Sequence, residues 1–189
     1  MKWIKSIISS NRESHPLSGN WRGFYANNHS KSRIEVTLNQ KGNRLRGSMI
    51  DLDNVHEFAL EELMRDEDYP PEEISTLENE IRSQFNAPGH APVISRVTLP
   101  KDSSVYGEIN DHLEIKLVKE YIGEPLHEYV VGSESIQIPF PNTPVNYRGQ
   151  FLADKDRIEG TWEIVAIDPD SGKETIESGS FALNRAEQS

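Results

Sequence analysis

Cysteine is absent from the chain. That omission excludes disulfide staples, thiolate zinc sites and cysteine nucleophiles together, and it suits a reducing, cytoplasmic setting. Long apolar runs are missing as well. No stretch approaches the roughly 20 residues that cross a bilayer, and the first residues carry neither a long apolar core nor a small-residue cleavage site. The chain therefore reads as soluble, with no transmembrane segment. Basic residues are few: 20 Lys and Arg stand against 31 Asp and Glu, for a net charge of −11. No basic stripe is present of the kind that grips a phosphate backbone, which argues against nucleic acid as a partner. Catalytic signatures are missing too: there is no Gly-x-Ser-x-Gly elbow, phosphate-cradling loop, His-Glu-x-x-His or dinucleotide fingerprint. The balance leans away from an enzyme, with no catalytic residue, metal or cofactor to name.

The acidity that is present is concentrated. Residues 51–85 carry twelve carboxylates against Arg65 and Arg82, so nearly all of the net charge sits in one segment. Within it Pro71-Glu72-Glu73 makes a good helix start, and Ile74, Leu77, Ile81 and Phe85 recur at helical spacing. A shorter helix is expected over 57–65. The opening Trp3, Ile4, Ile7 and Ile8 share one helical face beside Lys2 and Lys5, which predicts a short N-terminal helix.

Elsewhere the period is two. Five times an apolar residue, any residue, glycine, any residue and an apolar residue follow in order: Trp21-Arg22-Gly23-Phe24-Tyr25, Leu45-Arg46-Gly47-Ser48-Met49, Val105-Tyr106-Gly107-Glu108-Ile109, Tyr147-Arg148-Gly149-Gln150-Phe151 and Ile158-Glu159-Gly160-Thr161-Trp162. Side chains alternate across a strand, so each glycine shares a face with its apolar neighbours and marks a bend or a close backbone approach there. Closing a sheet needs such inward positions without side chains. With further strands at 33–39, 93–99, 113–121 and 174–185, and short pieces at 126–131 and 135–139, the pattern predicts a mainly β fold. It is an antiparallel up-and-down barrel of about eight or more strands, with a helical insertion after the third strand. The expected organisation is an N-terminal helix and lead-in over 1–17, then one barrel domain over 18–189, with the acidic insertion at about 54–90.

If the glycine faces point inward, the lumen candidates for contacting a ligand are Trp21, Tyr25, Val36, Met49, Leu117, Tyr147, Phe151 and Trp162. Interiors of eight-stranded barrels are either filled by side chains or hold one small ligand, and alternation alone does not choose. Asp51-x-Asp53-x-x-His56 has donors for a hard cation, although its place in an acidic segment reads first as a solvated junction. Asp168-x-Asp170-x-Gly172 reads as a hairpin turn. Asn28-His29-Ser30 matches a glycosylation acceptor, relevant only to a secreted chain. The remaining histidines, His15, His90, His112 and His127 among them, are scattered and form no triad.

At Ser18-Gly19-Asn20-Trp21-Arg22-Gly23-Phe24-Tyr25 the chain resembles the first strand of calycin-type barrels, the lipocalins, fatty-acid-binding proteins and avidins, which place Gly-x-Trp there. The resemblance implies that Gly19 and Trp21 form the closed end, with Arg185 from the last strand over the indole as a cation–π partner. The departures are Met49 where avidins offer a biotin-contacting tyrosine, and a helical insertion after the third strand rather than the first.

Three functions follow in order of support. The first is a non-enzymatic, intracellular, lipocalin-like barrel binding a small, largely apolar molecule. The second is a protein-interaction module in which residues 51–85 meet a basic partner surface. The third is a calycin-like isomerase, cyclase or chromophore lyase. The oligomeric state is left open.

Overall fold

The computed structural model describes residues 16–28, 30–66, 68–85, 91–139, 141–167 and 174–186. The expected N-terminal helix, His15, His29, His90 and the 168–172 turn lie outside them. The strands are β1 (Gly19–Ala26), β2 (Lys31–Lys41), β3 (Arg44–Asp51), β4 (Val55–Ala59), β5 (Val93–Thr98), β6 (Asp102–Ile109), β7 (Glu114–Tyr121), β8 (Leu126–Val131), β9 (Glu134–Pro139), β10 (Val145–Leu152), β11 (Arg157–Ile167) and β12 (Glu174–Arg185), with helices α1 (Leu60–Asp66) and α2 (Pro71–Ser83) between β4 and β5. Eight of the strands close into an antiparallel barrel in the order β1-β12-β11-β10-β7-β6-β3-β2. Among the described residues no helix is long and apolar enough to cross a membrane.

Period-two burial builds the barrel. Along β2, Ser32, Ile34, Val36, Leu38 and Gln40 are buried while their neighbours face out. The same parity on the other strands gathers Trp21, Leu45, Met49, Val105, Ile115, Leu117, Tyr147, Phe151, Ile158, Trp162, Phe181 and Leu183 inside at 0–5% exposure. Rings interlock edge to face: Trp21 with Phe151, Tyr25 with Trp162, and Tyr147 with Phe181 at 5.1 Å, arrangements that add about 0.5–1.5 kcal/mol each beyond burial. The repeated glycines are where strands approach most closely. A Cβ on Gly23 would lie 1.8 Å from the Ala182 carbonyl oxygen, and one on Gly107 1.9 Å from that of Lys116. Gly179, outside the repeat, leaves room for the Trp162 indole, which donates to the Ala26 carbonyl across it.

The rest of the chain is more than a helical insertion. β4, β5, β8 and β9 form a second antiparallel sheet in that order, so residues 93–98, expected in the barrel, pair instead with β4 and β8. Residues 57–59, expected in the first helix, finish β4, because Glu57, Phe58 and Ala59 continue its register against Arg96, Ser95 and Ile94. Isolated two-stranded pairs are marginal, and joining two of them under a shared apolar face is what makes such a sheet stable. Here that face is Val93, Val131 and Tyr129, packed with Leu60, Met64, Ile74, Leu77, Ile81 and Phe85 from the helices and the residues that follow them. α2 begins at Pro71 as its sequence predicts, with Pro70 extended before it.

All four crossings between the two sheets lie at one barrel end. Asn54 binds Leu99 through both its backbone carbonyl and its side-chain amide, the Asp51 N–H donates to the Lys101 carbonyl, and the Ile122 N–H to that of Asp102. Asn142 donates to the carbonyls of Tyr121 and Gly123.

Candidate functional site

The other barrel end is shut by local chemistry. The Arg185 guanidinium lies 4.3 Å from the Trp21 ring centre and donates to Asp156 Oδ2 at 2.6 Å, to the Ser18 carbonyl at 3.0 Å and to that of Pro16. Trp21 Nε1 donates to the Leu17 carbonyl, and the Leu17 N–H to Gln40 Oε1. Gly19, at φ +131°, has the Arg185 guanidinium 3.0 Å from where a Cβ would stand. Arg185→Ala removes a charged fork and a stacked ring together, and a loss of about 2 kcal/mol is expected from urea unfolding. An unchanged midpoint would show the end to be closed by the apolar contacts alone.

At the crossing end the lumen turns polar. Tyr25 on β1, Ser32 on β2, Asp51 on β3, Ser103 on β6, and Lys119 with Tyr121 on β7 occupy inward-facing positions of strands that are consecutive around the barrel, and Tyr147 on β10 sits one step deeper. Ser32, Asp51, Ser103 and Lys119 are all at 0% exposure. Lys119 Nζ donates to Asp51 Oδ2 at 2.6 Å and to the Tyr121 hydroxyl at 3.0 Å, and lies 4.1 Å from the centre of the Tyr121 ring. The Tyr147 hydroxyl reaches Met49 Sδ at 4.0 Å. The Tyr25 hydroxyl, Ser32 Oγ, Asp51 Oδ1 and Ser103 Oγ are buried without a hydrogen bond of strict geometry, and the Tyr25 hydroxyl interacts with Ser32, Asp51 and Tyr121. A buried polar group left wholly without a partner costs roughly 1–3 kcal/mol, so these side chains are held together by their contacts with one another.

The electrostatics follow from burial. Loss of water pushes the Tyr25, Tyr121 and Tyr147 hydroxyls well above the usual phenol range, and the Asp51 charge pushes them further in the same direction. All three therefore stay protonated and act as neutral donors. Burial lowers the Lys119 ammonium, and the Asp51 carboxylate beside it acts in the opposite direction.

The candidate cation ligands are drawn apart. Asp51 turns into the lumen. Beyond the bend at Leu52, Asp53 faces Arg33 with both oxygens, which takes its carboxyl well below the usual range. His56 is half-buried, and burial lowers its pKa despite the charges of Asp51, Asp53 and Glu177 nearby. Among the described residues no three His, Asp or Glu side chains form a cluster able to hold a metal ion. The acidic segment is also less bare than its composition. Among its described carboxylates, Asp51 pairs with Lys119, Asp53 with Arg33, Glu57 with Arg96, Glu61 with Arg65 and Glu78 with Arg82. What stays on α2 is a shallow hollow between Glu72, Glu73, Thr76, Leu77 and Glu80.

Two other features deserve comparison. Ser95 Oγ lies 2.9 Å from His127 Nε2, a pairing that sequence order did not suggest. Ser95 is 5% exposed on the helix-covered face of the second sheet, so the contact satisfies a buried hydroxyl rather than arming a nucleophile that a substrate can reach. On the outer barrel wall a groove of about 650 Å³ runs past Asn20, Arg22, Glu35, Thr37, Ser48 and Ile50. Its charged members are already paired, Arg22 with Glu35 at 2.9 Å.

Of the lumen residues named from the sequence, Trp21, Val36, Met49, Leu117, Tyr147, Phe151 and Trp162 are buried inside the barrel, and Tyr25 is partly buried at the polar end. Ser32, Ser103 and Lys119 were not singled out. The signal was present in the parity: Lys119 stands two and four residues after Leu117 and Ile115 on an inward face. No protein-family model, no curated protein and no solved structure matches the chain.

Proposed function

We propose that the protein is a non-enzymatic barrel, acting in the cytoplasm, that binds one small, largely apolar molecule in the lumen with its polar end against the Asp51–Lys119 cluster. The observation that carries the reading is the concentration of buried polar side chains, Tyr25, Ser32, Asp51, Ser103, Lys119 and Tyr121, at the head of an otherwise apolar interior. Ligand sites are mostly apolar with a few convergent polar groups, and this end of the interior is where the barrel has that composition. The resemblance to calycin-type barrels points the same way. Pairing of much of the acidic segment within the chain takes support from the protein-interaction reading.

Methyl NMR with octanol as the probe tests the reading. Saturable shifts are expected at Ile34, Val36, Met49 and Leu117, and Met49→Trp, which adds bulk on the inner face, should abolish them. Shifts confined to the outer groove around Ile50, or none at all, would overturn it.

A further inference from the structure

We propose that the outer edge of β9 pairs antiparallel with the same strand of a second copy of this chain, joining two four-stranded sheets across a two-fold axis at Gln137. The barrel closes on itself and leaves no edge, whereas the second sheet ends in β4 on one side and β9 on the other. Among the described residues no strand pairs with the outer edge of β9. Exposed edges are ordinarily blunted by lysine, a bulge or short length, because their unpaired N–H and C=O groups template further pairing. β9 has little of that protection. Its six residues pair with β8 without interruption, they include no Lys or Arg, and their single charge is Glu134 at the turn. β4 at the opposite edge is five residues long and carries His56 and Glu57, with Glu57 held by Arg96.

The occupant follows from the pattern of the edge itself. A two-residue turn at Gly132 and Ser133 joins β8 to β9, so Val131 and Glu134 close the hairpin as a hydrogen-bonded pair, and bonded and non-bonded pairs alternate from there. Glu134, Ile136 and Ile138 thus turn their backbone groups toward β8, while Ser135, Gln137 and Pro139 turn theirs outward. Around an axis at Gln137 the two copies of that residue exchange N–H···O bonds. Each Ser135 N–H then meets the second copy's Pro139 carbonyl, the one backbone group a proline can offer. Side chains agree with this register. Gln137 Nε2 donates to Glu128 Oε1, Glu128 is joined to Arg96 and Arg96 to Glu57, so a polar row crosses all four strands and reaches the edge as an amide. An amide is self-complementary, because its second N–H and its carbonyl oxygen answer those of another Gln137. On the opposite face Ile136 would cover the second copy's Ile138, a side chain 37% exposed in the single chain. Charge selects the antiparallel sense, which sets the two Glu134 carboxylates at opposite ends of the pairing, where parallel strands would set them side by side.

Sedimentation velocity of the full chain across micromolar to millimolar concentration tests this. A monomer–dimer equilibrium is expected, and added salt should tighten it, because two chains of net charge −11 repel each other. Gln137→Pro removes an outward N–H without touching the β8 ladder and should weaken association at least roughly tenfold. Ile176→Ser, which trims a side chain 66% exposed on β12, should leave it unchanged. A chain that stays monomeric throughout overturns the proposal, as does a dimer that folded Gln137→Pro leaves intact or that Ile176→Ser disperses. The chain has no cysteine, so Ser135→Cys accepts a single nitroxide label. Electron–electron resonance on the labelled dimer should then place the two label sites roughly 15 Å apart at the backbone, four residues of strand rise and one strand spacing. A dimer with its labels far apart overturns the proposal, and this distance decides where circular dichroism shows Gln137→Pro unfolded.

Discussion

Lys119→Met should cost the fold about 3–5 kcal/mol, and adding Asp51→Leu to the same chain should recover most of that loss. The expectation is counter-intuitive, because two damaging changes together do less harm than one. Lys119 and Asp51 are both at 0% exposure and touch at 2.6 Å. Removing the ammonium strands a buried carboxylate beside Tyr25 and Tyr121, with no positive charge left to compensate it. Removing both charges abolishes the desolvation penalty along with the attraction, and apolar replacement of a buried pair is often neutral or stabilising. Urea unfolding of the four proteins of the cycle gives the coupling directly. Simple additivity of the two single changes would show that the pair is not energetically a unit. Recovery in the double variant, together with loss of octanol binding, would mean that the barrel retains a stability cost for the sake of the site.

The barrel was legible in the sequence because its information is local and repeated. Alternation assigns each residue of β2 or β7 to a face, and the five glycine-centred repeats distinguish a closing sheet from a flat one. The second sheet was not legible for the complementary reason. β4 and β5 are separated by two helices, and β5 and β8 by two barrel strands, so the pairing Val93↔Val131 joins segments with no turn signal between them. The strand content of 126–131 and 135–139 could be seen, but not its partner. The candidate site falls between these cases. The parity that identified Met49 and Leu117 also places Asp51 and Lys119 on the inner face. A charge near the end of a strand, however, reads as solvated unless its counter-charge is known to lie close by on the same inner face. Asp51 and Lys119 are 68 residues apart, and only the strand order β3-β6-β7, with a single strand between theirs, makes them neighbours. The fork between Asp51 and Asp53 depends in the same way on a bend at Leu52 and on Arg33 from the neighbouring strand.

Gly23→Ala should be among the most damaging single-methyl additions in the protein, and Gly42→Ala among the mildest changes at a glycine. At Gly23 the added carbon would stand 1.8 Å from the Ala182 carbonyl oxygen and 2.9 Å from Leu183 Cα, which are backbone atoms that no rotamer change can move aside. Gly23 pairs with Leu183 on one side and Ile34 on the other, so relief requires β1 to withdraw from β12 at the seam joining the chain's first and last strands. A loss of about 4 kcal/mol or failure to fold is expected, above the ~1–3 kcal/mol usual for overpacking because backbone rather than side chains must move. Gly42 sits in the β2–β3 turn at φ +58°, with nothing within 4 Å of an added Cβ. Its cost is that of a left-handed residue alone, about 1 kcal/mol. Thermal unfolding by circular dichroism separates the two readily. Similar melting temperatures would mean that the barrel can open its β1–β12 seam at little cost. The inward glycines would then be relieving side-chain crowding rather than setting the distance between strands, and Gly107, whose Cβ would lie 1.9 Å from the Lys116 carbonyl oxygen, should tolerate alanine equally well.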